Sequence, residues 1–249
     1  MDKVLSKVKG SKAFLLIFFM ICDTINPMNY WIYLIIIIIS YLLGSIPFAF
    51  LLAKFAGHGD LRRVGSGNIG ATNVARVMGI TGFALTWAFD MAKVVAAVLL
   101  GRWVGGVVFG ALCGAIAIAG HIFPVWLKWK GGKGVSALFG YMLALHPVIF
   151  MAQGLIWLAV ALPTGYSSLA AWVNWILLPL FGFALNFWIG MISIPLAALG
   201  LWAQRENIKR FLAGNESKMQ MQPGKFALVL ILVGLLALGL IVFVRFRTS

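Results

Sequence analysis

Residues 66–76, Ser66-Gly67-Asn68-Ile69-Gly70-Ala71-Thr72-Asn73-Val74-Ala75-Arg76, set a polar, glycine-rich run between two strongly apolar stretches. Hydroxyl and carboxamide side chains supply neutral donors, and glycines let successive backbone N–H groups converge on an anion. Arg76 adds a planar fork that matches phosphate bidentately. Lipid would leave these polar groups unsatisfied, so the run must line a wet or protein-walled cavity. The chemistry it suits is oxyanion binding at a membrane surface.

A second polar cluster runs from Gly120-His121-Ile122-Phe123-Pro124 through Lys128 to Lys130-Gly131-Gly132-Lys133-Gly134-Val135-Ser136. Two ammonium groups flank a turn whose glycines can take positive φ and expose N–H groups, and a helix N-terminus follows; each feature favours an anion. The spacing and the preceding strand of a nucleotide-binding P-loop are absent. Taken alone, the segment also fits a basic loop that only anchors one membrane face. The third cluster, Gln204 to Glu216, reads as a short amphipathic helix at the interface, and such stretches often do no more than end a span. On one common face, the three would form a single vestibule able to hold a substrate of about four negative charges.

The elements that must position these clusters follow from composition. Of 249 residues 62% are hydrophobic and 10% charged, and the mean hydropathy is +1.01. That is an all-α polytopic membrane protein. A span needs about 20 apolar residues. Segments 30–55, 82–100, 104–127, 168–182 and 185–203 qualify, and 135–162 divides into two shorter helices near His146-Pro147, because the residue before proline disfavours helix. Together they make a seven-helix transmembrane core. Lys54, Arg62, Arg63 and Arg76, then Lys128, Lys130 and Lys133, then Arg205, Lys209, Arg210 and Lys218 fall in three loops that this count puts on the cytoplasmic side. The turns near Arg102, His146 and Gly182 lie outside.

Three segments emerge: an extension at 1–27, a transmembrane domain at 28–218 and a C-terminal extension at 219–249. Lys3, Lys7, Lys9 and Lys12 precede an apolar run at 13–22 that is too short to cross. It fits an interfacial or signal-like segment, a shallow helix, or a start of synthesis at Met28. Residues 226–244 are long enough for an extra C-terminal transmembrane helix, which would carry Arg245 and Arg247 outside. The net charge of +14 is explained by membrane-flanking loops, so no nucleic-acid partner is expected. Cys22 and Cys113 have no partner at ligand spacing, which indicates neither a disulfide nor a metal.

Other polar residues read as structural. His58 and His146 lack a second ligand, and His121 beside Pro124 reads as a hydrogen-bonding residue near the site rather than a base. Asp90 and Lys93, at i and i+3 within a span, read as a pair at least as readily as a functional couple. No internal repeat supports a transporter of inverted halves.

Gly44-Ser45-Ile46-Pro47-Phe48, Asp60-Leu61-Arg62, the run from Gly65 to Arg76, Gly120-His121-Ile122-Phe123-Pro124, Lys130-Gly131-Gly132-Lys133-Gly134-Val135 and Glu206-Asn207-Ile208-Lys209-Arg210 together resemble the PlsY family. These are bacterial integral-membrane acyl-phosphate:glycerol-3-phosphate acyltransferases. The resemblance implies transfer of a fatty acyl group from acyl phosphate to the 1-hydroxyl of glycerol 3-phosphate, without cofactor or metal. It implies a cytoplasmic-membrane location, surrounding membrane lipids, and functional coupling to an enzyme that produces acyl phosphate. Matching motif positions implies a phosphate cradle of Ser66, Gly67, Asn68, Thr72, Asn73 and Arg76. Lys130, Gly131, Gly132 and Lys133 meet phosphates from the second loop, Asn207 reaches in from the third, and Ser168 stands near the substrate. Arg76, Lys130, Lys133 and Gln204 occupy the catalytic positions. Gln204 stands where the family commonly has His, and Gly165 where it commonly has Arg; each removes a cation, and Gln204 cannot accept a proton at neutral pH. Two rivals follow: a phosphate or organophosphate transporter, and a catalytically impaired paralogue that binds lipid precursors.

Overall fold

Pro47, Gly79, Gly105, Pro124 and Pro147 interrupt an otherwise helix-forming apolar chain, and the architecture follows from where they fall. The computed structural model describes residues 30–59, 70–219 and 239. The N-terminal extension, Asp60, Arg62, Arg63, Ser66, Gly67, Asn68, the Thr72 side chain and all of the 226–244 segment except Gly239 lie outside the described residues.

Helices α1 (Tyr30–Ser45) and α2 (Phe48–Phe55) form one path bent by 41° at Pro47. Helix α3 (Ala71–Ile122) leaves helical geometry at Gly79 (φ 65°, ψ −158°) and again at Gly105 and Gly106, where φ reaches 76°. Only glycine adopts such angles cheaply. At the second break the chain folds back, so that Gly101 packs on Cys113 and Gly110 on the Val98 carbonyl; a Cβ at either would come within 2.6–2.7 Å of those atoms. These two arms are the spans expected at 82–100 and 104–127. The first starts earlier, at Ala71, and the second stops at Ile122 because Pro124 has no N–H to continue it, leaving a single 3-10 turn at Val125–Leu127.

Helix α4 (Val135–Leu145) has 11 residues and is about 16 Å long, too short for a bilayer alone. Ser136 through Leu145 are all buried, so it is an interior helix. The break expected at His146-Pro147 is present: His146 is extended (φ −158°, ψ 109°), and Pro147 opens α5 (Pro147–Thr164). Helices α6 (Ser167–Leu185) and α7 (Phe187–Ala203) complete the bundle, with Asn186 capping α7 by accepting from Trp188 N at 2.8 Å. A 54° bend leads to the amphipathic α8 (Arg205–Leu212).

Trp87, Met91 and Val94 of α3, Leu138, Tyr141 and Met142 of α4, and Trp175 and Leu178 of α6 form the centre of the core. Trp31, Ile35, Trp103, Leu155, Ile176 and Leu180 are exposed on the outside, which suits lipid rather than water. Lipid tails remove the hydrophobic drive between helices, so association depends on close backbone approach at small residues. Gly44 lies against the Ala117 backbone and Gly120 against the Tyr41 carbonyl, joining α1 to the second arm of α3 with no room for a Cβ. Gly140 meets Met91 in the same way, seating α4 on the first arm.

Candidate active site

The start of α3, the 123–134 connection, the start of α6 and the end of α7 converge on a cavity of about 110 Å³ at one end of the bundle. Three of the four carry the polar clusters. Gly70 is extended (φ −89°, ψ 162°), and its carbonyl accepts from Asn73 N at 2.9 Å and Val74 N at 3.1 Å. That turn puts Asn73 and Arg76 on the cavity wall.

From the second connection the wall takes Lys133, Gly134, Val135 and Ser136. Burial pushes the Lys133 ammonium down to about 8, reinforced by the Arg210 and Arg76 cations against the opposing pull of Glu216 and Glu206. Gly134 holds a left-handed conformation (φ 76°) that turns the loop into α4. Gly131 N donates to Ile122 O at 3.0 Å and Gly132 N to His121 O at 3.1 Å. These amides cap the end of α3 instead of facing the cavity, and Lys130 is exposed outside its wall.

Gln204 and Asn207 stand at the bend into α8. The chain then reverses at Gly214 (φ 72°) and crosses back over the cavity mouth. There the Glu216 carboxylate accepts from Asn207 Nδ2 at 2.6 Å and from Arg210 Nε at 2.9 Å. Arg76 donates to Ser217 Oγ at 2.7 Å, and Met219 N to Gly165 O at 2.9 Å. Among the described residues, three polar atoms on the wall are buried without a partner: Ser168 Oγ, Gln204 Nε2 and Asn207 Oδ1. Buried polar groups are nearly always bonded, so a cluster of three that lack protein partners and face one cavity marks a ligand site. Below them Phe83, Trp87, Phe139 and Trp157 form an apolar wall, with the Trp87 and Phe139 rings 5.8 Å apart. One end of the cavity is polar and cationic, and the other is aromatic.

The family model described as glycerol-3-phosphate acyltransferase matches residues 34–214. The chain belongs to the glycerol-3-phosphate acyltransferase family. A family member from Agrobacterium fabrum is 44% identical over 188 residues, covering 73% of this chain and 89% of the relative. One from Rhodopseudomonas palustris (strain HaA2) is 44% identical over 194 residues, covering 76% and 96%. The crystal structure of PlsY, an integral membrane glycerol 3-phosphate acyltransferase, in its glycerol 3-phosphate form superposes with a TM-score of 0.71 at 36% identity, covering 75% of this chain and 94% of that one. Its lysophosphatidic acid form gives 0.69 at 34% identity. This acyltransferase is therefore an integral membrane enzyme.

Of the residues singled out from sequence, Asn73, Arg76, Lys133, Ser168, Gln204 and Asn207 meet on the cavity of this acyltransferase, whereas Lys130, Gly131 and Gly132 do not. Gly165, where the family commonly has Arg, closes α5 in a left-handed conformation (φ 77°), with the Lys218 stem beside it and the Lys218 ammonium 5.7 Å from the Tyr166 ring. Sequence reasoning missed Arg210, Glu216 and Ser217 as wall residues, as well as the aromatic wall and the pair Asp90 and His121. Glu216 had one signal: a carboxylate closing a basic segment needs a cation. Asp90 and His121 are separated by almost a whole helical hairpin, and nothing local announces their meeting.

Proposed function

We propose that this acyltransferase moves a fatty acyl group from acyl phosphate to the 1-hydroxyl of glycerol 3-phosphate, giving lysophosphatidic acid and inorganic phosphate. The supporting observation is the two-ended cavity, with Arg76, Lys133 and Arg210 beside unpartnered Ser168, Gln204 and Asn207 atoms at one end and four aromatic side chains at the other. Two phosphorylated reactants repel each other, and cations held in a partly desolvated wall offset that repulsion and stabilise charge growing on the carbonyl oxygen and the departing phosphate. The acyl chain, worth about 0.8 kcal/mol per buried CH₂, follows the aromatic wall into the bundle.

In this reading Arg76 and Lys133 bind phosphate, and Asn73, Asn207 and Gln204 add neutral contacts. Ser66, Gly67, Asn68 and Thr72 complete the cradle by their motif positions. Lys133 carries the second loop's contribution; Lys130, Gly131 and Gly132 shape that loop. Phosphate is already a good leaving group, and the buried Cys113 packs on Gly101 away from the cavity, so transfer is direct, without an acyl-enzyme. The basic loops at the cavity end support, by the positive-inside rule, a site on the cytoplasmic side of a bacterial cytoplasmic membrane. An acyl-phosphate-producing enzyme supplies the donor there.

The test is acyl transfer by the purified protein in detergent, with labelled glycerol 3-phosphate and, in turn, acyl phosphate, acyl-CoA and acyl-carrier-protein donors. Lysophosphatidic acid formed from acyl phosphate alone is the expected result; product from a thioester donor alone overturns the donor assignment. Gln204 favours a second reading, an impaired paralogue, and Gln204→His separates the two. Substrate binding without turnover, restored by that substitution, supports the paralogue.

A further inference from the structure

Three ionisable side chains are buried together inside the helical bundle, where charge is costly: Asp90 and Lys93 on the first arm of α3 and His121 on the second. Asp90 precedes Gly105 by as many residues as His121 follows Gly106, so the hairpin brings the two to one height. Lys93 Nζ lies 2.8 Å from Asp90 Oδ1, and His121 Nδ1 lies 3.5 Å from the same oxygen. The side chains are only 3–7% exposed. Well-packed apolar residues in place of a buried ion pair are often neutral or stabilising, so stability alone does not account for this group.

Its contacts run outward to two other elements. Lys93 Nζ also donates to Ile46 O at 2.8 Å, at the α1–α2 bend. The Nε2 edge of the His121 ring lies against Gly132, where a Cβ would collide with it. The His121 carbonyl accepts from Gly132 N at 3.1 Å, and the neighbouring Ile122 carbonyl from Gly131 N at 3.0 Å. His121 thus holds Gly132 with both its ring and its backbone. Its nitrogens are spent on this packing, Nδ1 on Asp90 and Nε2 on a residue off the cavity wall.

One residue further on, Lys133 enters that wall, and its place there is electrostatically unfavourable. Arg76 from α3 and Arg210 from α8 oppose its charge, while Glu216 and Glu206 favour it. Asp90 and His121 border the same cavity, and α6 adds only Ser167, Ser168 and Ala171 there. Burial and the two guanidinium groups hold the ammonium down to about 8. On a loose loop, the flexible lysine stem would relieve both by turning its head to water. The loop must therefore be held.

Resting on the acyl-transfer reading above, we infer that Lys93, Asp90 and His121 are positioning residues: their buried network ties both arms of α3 and the α1–α2 bend to Gly132, and so holds Lys133 at the anion end of the cavity against Arg76 and Arg210. In this role none of the three touches substrate or moves a proton. They act through Lys133.

The test reads Lys133 in two ways. In the first, wild type, His121→Ala and His121→Asn are compared in the acyl-phosphate assay from about pH 6.5 to 9.5. His121→Ala removes the ring, frees the loop and lets the Lys133 ammonium regain water, which raises its pKa. The descending limb of kcat/KM should then move upward by about half a pH unit or more, with kcat/KM at neutral pH lowered about tenfold or more. His121→Asn keeps a donor for Asp90 and should retain kcat/KM to within about fivefold, with the limb in place. In the second, Lys133→Cys is made in the full chain with Cys22→Ser, where the remaining Cys113 is buried, and its reaction with a bulky maleimide is followed in detergent. Asp90→Leu and Lys93→Met introduced together leave no lone buried charge, so this variant decides the matter where His121→Ala does not fold. The pair should speed labelling at position 133 by about fivefold or more while Cys113 stays unreacted.

A limb that stays near 8 in His121→Ala, or equal losses in His121→Ala and His121→Asn, overturns the proposal. So does a labelling rate within about twofold of the parent, or Cys113 reacting in step with position 133. Wild type inactive with every donor removes the acyl-transfer reading itself and leaves the labelling to decide the network alone. Active wild type with any of the overturning results removes only the network.

Discussion

Arg76 and Lys133 face the same cavity with different chemistry. Arg76 offers a planar guanidinium fork suited to bidentate contact with phosphate. Arg76→Ala should lower kcat/KM at least 100-fold, a loss of about 2.7 kcal/mol in transition-state stabilisation, measured by steady-state acyl transfer. Near-normal turnover would remove the guanidinium from the site. Lys133 is conditional, because its ammonium is held down to about 8 by burial and by the nearby Arg210 and Arg76 cations. On the acyl-transfer reading it binds phosphate only when protonated, so kcat/KM should fall as the pH rises through that value. Lys133→Arg retains charge into strongly alkaline solution and should carry the plateau upward, with reduced absolute activity because the fork differs from a point charge. A descending limb unchanged in that variant would assign the titration elsewhere. Motif chemistry made both residues legible in the sequence. Glu216 and Ser217 were not, because their roles come from a chain reversal at Gly214 that the sequence marks only by a glycine.

At the scale of elements, legibility tracked the punctuation. Pro147 and its extended neighbour His146 divide α4 from α5 where the backbone rule requires it, and apolar length located α6 and α7 to within a few residues. The hairpin in α3 was read as two spans, but its tightness was not, since Gly101 and Gly110 show their purpose only when the arms meet. The glycine loop shows the same limit. Its residue types suit anion binding, yet the Gly131 and Gly132 amides are spent on Ile122 and His121 carbonyls left open where Pro124 ends the helix. Close approach also yields a stability prediction away from the cavity. A Cβ at Gly44 would collide with the Ala117 backbone, which cannot move as a side-chain tip can. Gly44→Ala should therefore destabilise by about 1–3 kcal/mol, seen as a fall of several degrees in Tm in detergent. An unchanged Tm would mean that α1 does not seat on α3 in this way.

The whole molecule depends on three connections sharing one end of the bundle, for only then can basic residues distant in sequence act on one substrate. The cavity joins the start of α3, Lys133 and Asn207, and each intervening passage runs out and back. If α1 with α2, the two arms of α3, α4, α5, α6 and α7 alternate in direction, His58, Lys128 and Lys209 must face one side of the membrane and Trp103, His146 and Phe187 the other. All six are exposed, so a cysteine at each is open to reagent. The chain has two natural cysteines, of which Cys113 is buried, so Cys22→Ser gives a background with little labelling of its own. With single cysteines in that background, a membrane-impermeant maleimide applied to intact bacterial cells should modify positions 103, 146 and 187 and spare 58, 128 and 209, which react only after the membrane is opened. The reverse pattern would turn the site outward, away from the positive-inside expectation. A mixed pattern within either group would break the alternation, and no cavity gathering all three connections would survive it.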